Sequence, residues 1–438
     1  MKHAYFTKLG LFILAASLAL ASCGESSNQP KDPEEEQGED QFIYDSWDNS
    51  FAPTPADATN PTKNIVTDCG AANDGKTDIS EILQNAINEV SQNGGGVIYM
   101  PEGEYTFSYI EMKSDVKLYI DHEAVIRPLY RTPDRTHLFS FGDDDSKPIK
   151  NTEIRGIDGR FKIILQKKED RKAIRVFYFR AVKNFAVANV HIEDVRTELP
   201  IMAFGPTEAK CMFDGTDLLG PTNGHISYAS VNNSHYGYGL VQMQCIVDCT
   251  FEYLSGVGGV TLRAETGLES MNLRQRGGVH GLVGKNLYCK DGNAVAMASP
   301  HAMHGGTVYF ENIVSDGSGW GVRVDEGYTT KKQAEAGLKP GTFEKVTVKG
   351  VMARYGTKAQ VKTKHHKYMP ADLAAISLEN KTIVPEGEET DKGNNEAICE
   401  PSPAVAAVLH ITNYPSEVTD VIASGFRTPD IMTGEYKE

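Results

Sequence analysis

No hydrophobic run in this chain is long enough to remain in a bilayer. The longest, residues 9–21, follows Lys2 and Lys8 and ends in Leu20-Ala21-Ser22-Cys23, well short of the roughly 20 apolar residues that a helical span requires. The pattern is that of an export signal with a lipoprotein-type cleavage site, so residues 1–22 are expected to be removed. Cys23 is then expected to become the lipidated N-terminus of an exported lipoprotein at the outer membrane or cell surface. Basic charge is also scarce, with 44 Lys and Arg against 59 Asp and Glu. The only dense basic run is Lys167, Lys168, Arg171, Lys172 and Arg175, too little in an exported chain to suggest a nucleic-acid partner. Much of the acidic excess lies in residues 23–61, which are rich in Glu, Asp, Pro, Ser, Asn and Gln. Such a composition cannot bury enough surface to fold alone and reads as a tether, although its later aromatics could lie along the folded body. Outside it the balance is only mildly acidic, which leaves room for a locally basic groove.

Cysteine is sparse too. Apart from Cys23 there are Cys69, Cys211, Cys245, Cys249, Cys289 and Cys399. Cys245 and Cys249 have no second Cys/His pair to complete a zinc site and are expected as core thiols. Export permits disulfides, but spacing cannot choose among the pairings. The glycine run at 94–96 is not a phosphate cradle, because it ends a helical pattern and no Gly-Lys-Ser/Thr follows.

What the chain does have is a folded stretch, residues 62–438. Apolar residues at 79, 82, 83, 86, 87 and 90 predict a helix, with Asp78 as N-cap and Glu81 completing a capping box. Short β-branched strands follow. Beyond them a turn residue followed by a strand recurs at Lys150-Asn151, Lys183-Asn184, Asn223-Gly224, Cys245-Ile246, Gly278-Val279, Gly306-Thr307 and Phe343-Glu344. Uneven intervals of one repeated unit that cannot bury its apolar side alone predict a stacked solenoid. The fold class is therefore all-β, a right-handed parallel β-helix whose open end the helix caps. Residues 369–403 form a polar excursion, read either as a flap over the groove or as a solvated loop. His365 and His366 read as surface residues.

The centre of the reading is residues 258–267, GGVTLRAETG. Period-two alternation places Thr261, Arg263 and Glu265 on one strand face. By itself the Arg–Glu neighbourhood is either a surface ion pair or part of a site.

Together with residues 237–242 (GYGLVQ), RQRGGVHG, PHAMHGG and GWGVRVDEGY, the stretch resembles the iota-carrageenases, glycoside hydrolase family 82. The resemblance implies an endo-acting, inverting hydrolase that cuts β-1,4 bonds of a sulfated red-algal galactan, with Glu265 as general acid and Gln242 and His301 beside it. Where the family has the Asp that acts as base, this chain has Gly267, which leaves Glu269, Asp325 and His301 as candidates. Arg263, Arg323, Arg127 and Tyr238 are the expected substrate contacts. No cofactor is expected to be required; a bound calcium or sodium ion fits the family, with no ligand set assignable. A monomer is expected, touching the membrane only through its lipid. The short connection between Gly327 and Gly341 replaces a larger family insertion and implies an open groove. Two rivals stand beside this reading: a glycan-binding protein that lost its base at Gly267, and a polysaccharide lyase of the same fold.

Overall fold

The computed structural model describes residues 47, 49–130, 137–166, 174–382 and 397–437. The expected signal peptide and Cys23, most of the tether and all of the basic run except Arg175 lie outside the described residues. Strands are joined in a 23-stranded assembly that is parallel throughout, and three ladders can be traced along it. All seven sequence repeats fall in one of them. Lys150 pairs with Lys183, Lys183 with Thr222 and Thr222 with Val247, and the stack continues through 278–285, 304–311 and 342–349. A second ladder includes Ala124–Pro128, Phe161–Ile164 and residues 190–193, 229–232 and 254–257. The third includes Arg175–Phe179, Met202–Phe204, residues 241–243 and 260–265, Ala294–Ser299, Trp320–Asp325 and Ala406–Ile411. The architecture is the parallel β-helix that the repeats predict.

Its corners explain why the repeats carry asparagine. Asn151, Asn184 and Asn223 have φ of 54°, 56° and 54°, a left-handed conformation that costs other L-residues about 1–2 kcal/mol. Their amides also join coil to coil, Asn184 donating to Asn151 at 3.0 Å and Asn223 to Asn184 at 2.6 Å. Inside, stacked phenylalanines fill the coil, with Phe179 4.5 Å from Phe141 and 4.4 Å from Phe204 between ring centres.

The capping helix runs Ser80–Gln92 and buries Leu83, Ala86, Ile87 and Val90. It starts one residue later than the apolar spacing suggests, so Ile79 and not Asp78 is the N-cap and the expected capping box does not form; the Asp78 carboxylate accepts from the Ser80 amide at 2.8 Å. Part of the acidic segment lies on the body. Fully buried Asn189 exchanges hydrogen bonds with the Ala52 backbone at 2.7 and 3.0 Å, and Asp57 accepts from Lys117 at 2.6 Å. All six described cysteines are free, and Cys245 and Cys249 are buried, as core thiols.

The polar excursion is built, not merely solvated. Ala359–Lys362, Lys381–Thr382 and Ile398–Ser402 form an antiparallel sheet beside a helix, Ala371–Glu379. Gln360 pins it down, accepting from the Gly259 amide at 2.7 Å and donating to Ser234 at 3.1 Å. Its apolar side covers the outer face of the third ladder, where Val361, Tyr368 and Met369 pack with Val260, Ala294, Met297 and Trp320. His365 and His366 therefore depart from the surface reading. They sit in a 3-10 turn, Thr363–Tyr368, where His365 is buried edge-on to Trp320 at 5.7 Å and His366 meets the Ser377 hydroxyl at 3.0 Å.

Candidate active site

Strand alternation holds for Arg263 and Glu265 but not for Thr261. Thr261 follows the Gly258-Gly259 corner, turns inward and donates to the Tyr288 carbonyl at 2.7 Å, while Val260 joins the outer cluster. From Leu262 onward Leu262 and Ala264 enter the core, and Arg263 and Glu265 share the outer face.

Glu265 is the meeting point. Its carboxylate pairs with the Arg263 guanidinium, accepts from Gln242 Nε2 at 3.2 Å and stands 3.4 Å from His301 Nε2. The three side chains do not come from one position on successive coils. Gln242 is in register with Arg263, Glu265 with Ser299, and His301 lies just past the strand end in a left-handed turn, φ 47°. Arg263 is in turn anchored to the Gly237 carbonyl, next to Tyr238, whose ring lies 5.8 Å from His235. Burial alone pushes the Glu265 carboxyl up, but the Arg263 guanidinium and His301 outweigh it and hold the acid well below the ordinary carboxylate range.

Gly267 is where a side chain has no room. A Cβ there would lie 2.9 Å from His301 Cε1 and 3.1 Å from Nε2. The imidazole thus occupies the space into which a residue-267 side chain would start. The same nitrogen, Nε2, is 3.3 Å from the Tyr328 hydroxyl. Glu269 does not continue the strand. It opens a short helix, Glu269–Arg274, and its carboxylate accepts from Gln333 at 2.9 Å and Thr330 at 3.4 Å and pairs with Lys332 at 3.7 Å. The chain bends away at Gly267, so Glu269 is not brought to Glu265.

Asp325 is. Ser299 is in register with Glu265, and the strand Trp320–Asp325 stacks next on Ala294–Ser299. Asp325 therefore sits two coils from Glu265, about 9.5 Å at the usual strand spacing. It accepts from Arg323 at 2.8 Å, and Arg323 stacks through Met297 on Arg263. The outer face thus carries the same unit twice, an arginine with a carboxylate two residues on, separated by Met297 and Ser299. Both carboxylates line one cleft of about 180 Å³ with a third, Glu326, and with Ser299, Arg323, Tyr328, Lys364 and Tyr368.

Arg127 stands elsewhere, on the second ladder, paired with Glu104 at 3.3 Å; the strand order separates it from the cleft. Tyr328, Lys364 and Tyr368 are lining residues that spacing did not single out, although Tyr328 lies in the GWGVRVDEGY motif. Among the described residues no group of three His, Cys, Asp or Glu side chains is placed to hold a metal ion.

Fold and cleft define a carbohydrate-active β-helix of the pectate-lyase-like class, and residues 63–122 match a family profile described as rhamnogalacturonase A/epimerase, pectate lyase-like. The chain is 27% identical to an iota-carrageenase of Alteromonas macleodii over 93% of this chain and 89% of that one. It is 33% identical to the iota-carrageenase of Zobellia galactanivorans over 61% of this chain and 53% of the relative. Among solved structures it is similar to an iota-carrageenase complexed to iota-carrageenan fragments, with a TM-score of 0.71, 26% identity and coverage of 87% and 94% of the two chains. A GH82 iota-carrageenase from A. fortis gives a TM-score of 0.72 and 25% identity over 89% and 93%. The chain is thus similar to iota-carrageenases through nearly the whole folded body.

Proposed function

We propose that the protein is a glycoside hydrolase acting on iota-carrageenan, with Glu265 donating a proton to the leaving oxygen and Asp325 activating water. The observation that carries the reading is that Glu265 and Asp325 line one cleft from strands two coils apart. An inverting hydrolase needs its carboxyls about 6.5–9.5 Å apart to leave room for a water, and the two-coil step reaches the upper end of that range.

Glu265 rests as a carboxylate, whereas an acid catalyst must carry a proton. An anionic substrate supplies the change. A sulfate drawn to Arg263 competes for the guanidinium, and guanidinium groups meet such oxyanions in a two-pronged way. With Arg263 diverted, burial raises the carboxyl's pKa, as desolvation does for any buried acid. Arg323, which donates to Asp325 at 2.8 Å, instead stays with its carboxylate and orients it. His301, oriented by Tyr328, is the alternative base, acting through water. We also propose that the chain is exported and anchored by a lipid on Cys23.

The test is reducing-end release from iota-, kappa-, alpha- and lambda-carrageenan. Glu265→Gln is expected to lower kcat on iota-carrageenan by about 10²–10⁴, the usual worth of a general acid, with binding retained. Unsaturated, ultraviolet-absorbing products would instead indicate a lyase. Binding without cleavage by the unmutated chain would indicate a glycan-capturing protein.

A further inference from the structure

A second polar pocket lies on the outer face of the second ladder, away from the cleft. Its volume is about 380 Å³, and its walls include Arg160, Lys162, His191, Ser230, Asn232 and Ser255. Four of these stand in register on successive strands: Lys162 beside His191, His191 beside Ser230, and Ser230 beside Ser255. Three strand steps make a row about 14 Å long, long enough to follow an extended chain.

The row is rich in donors. The Lys162 ammonium is exposed and has no ion-pair partner among the described residues, and the Ser255 hydroxyl has no hydrogen-bond partner among them. His191 is fixed between Ser230 Oγ at 2.8 Å and Glu193 Oε1 at 3.0 Å, with the Asn232 amide 3.5 Å away. Glu193 places a carboxylate beside the row, and the imidazole engages it. Arg160 borders the pocket while donating to the Tyr228 carbonyl at 3.0 Å and the Trp47 carbonyl at 3.3 Å. A cluster of donors around one free ammonium suits a ligand that only accepts, and a sulfate ester has only acceptor oxygens.

We propose that this pocket is a second binding site for a sulfated galactan, holding the polymer outside the catalytic cleft; the identity of the polymer rests on the function proposed above. The two sites share a strand. Within Cys245–Glu265, residues 255–257 line the pocket, the chain turns at Gly258-Gly259, and Arg263 and Glu265 reach the cleft. One polymer chain bound at the pocket leaves the cleft free, so capture there raises the local concentration of cleavable chain without adding a contact to the reacting sugar.

The test uses the exported chain carrying Glu265→Gln, so that probes stay intact, with and without Lys162→Ala and His191→Ala together. Native gels containing iota-carrageenan are expected to retard the doubly substituted chain several-fold less, with no change in gels containing unsulfated agarose. Lys162→Arg keeps the charge and is expected to keep the retardation, which separates recognition from misfolding. In the cleaving background the double variant should raise KM on polymer and leave kcat on short oligosaccharides unchanged. Unaltered retardation overturns the pocket, whatever the cleavage assay shows. Relief of retardation by millimolar sodium sulfate, and not by sodium chloride of equal ionic strength, overturns the polymer assignment in favour of a free-sulfate site. Loss of retardation in a chain that never cuts carrageenan leaves the pocket standing and removes the catalytic reading instead.

Discussion

The residue-level question is how the chain supplies a base with glycine at 267. Geometry ranks the candidates. Glu269 is committed to Gln333, Thr330 and Lys332 at the start of a helix. His301 is packed on Gly267 and already contacts Glu265. Asp325 lines the same cleft as Glu265, from a strand two coils away. We expect Asp325→Asn to lower kcat by about 10²–10⁴ with little change in binding, and His301→Ala to cost roughly tenfold through a misplaced Glu265. Reducing-end kinetics alongside direct binding check both, and the reverse ranking would assign the base to His301. The sequence motifs already point to Gln242, Glu265 and His301 as neighbours, as the structure has them. The Glu265–Asp325 relation was not legible, because coils differ in length and a sequence interval does not reveal how many coils it spans. Arg127 failed for the same reason: an arginine on a strand carries no mark of which ladder that strand joins.

At the scale of elements, the corners are what the repeats encode. Asn184 holds a left-handed φ of 56° and links the coils on either side of it. Asn184→Ala forfeits both features and should cost about 2 kcal/mol in denaturant unfolding, whereas Asn184→Gly should cost less because glycine accepts the conformation freely. A second corner makes stability depend on pH. Asp194 follows the strand Val182–Glu193 and accepts from the Val195 and Thr197 amides, yet burial raises its pKa to about 7. For an acid whose folded pKa lies above its unfolded value, stability is greatest below pH 4 or so and falls as pH climbs toward 7. Asp194→Asn removes that titration. Its melting temperature relative to wild type should therefore be more favourable at pH 8 than at pH 4.5, by at most about 4 kcal/mol in free energy; a pH-independent difference would refute the buried acid. Sequence periodicity located these strands because turn residues and β-branched runs recur. It could not show that Thr261 turns inward, since that depends on how the Gly258-Gly259 corner is folded.

For the molecule as a whole, the solenoid was legible because every coil must repeat the same solution to burying its apolar side. The structure of the 369–403 excursion was not, because its polar composition hides short elements that pack, with the preceding Val361 and Tyr368, on the cluster around Trp320. Those elements form one wall of the cleft, with Lys364 and Tyr368 lining it. On another side the connection between Gly327 and Gly341 is short. It folds into a single five-residue helix, Lys331–Glu335, closed by a Thr330–Gln333 capping box. Its ends approach so closely that a Cβ on Gly327 would lie 2.1 Å from the Gly341 carbonyl. So compact a connection provides little to enclose a polymer, and a chain that is not enclosed can leave after each cut. We therefore expect endo action with dissociation between cuts. In a viscometer run alongside a reducing-end assay, the viscosity of iota-carrageenan should collapse while only a small fraction of its bonds has been cut, and intermediate oligosaccharides should precede the final products. A single small product released from the outset, with viscosity lagging behind reducing ends, would mean that the cleft walls of this chain retain the polymer between cuts despite the short connection.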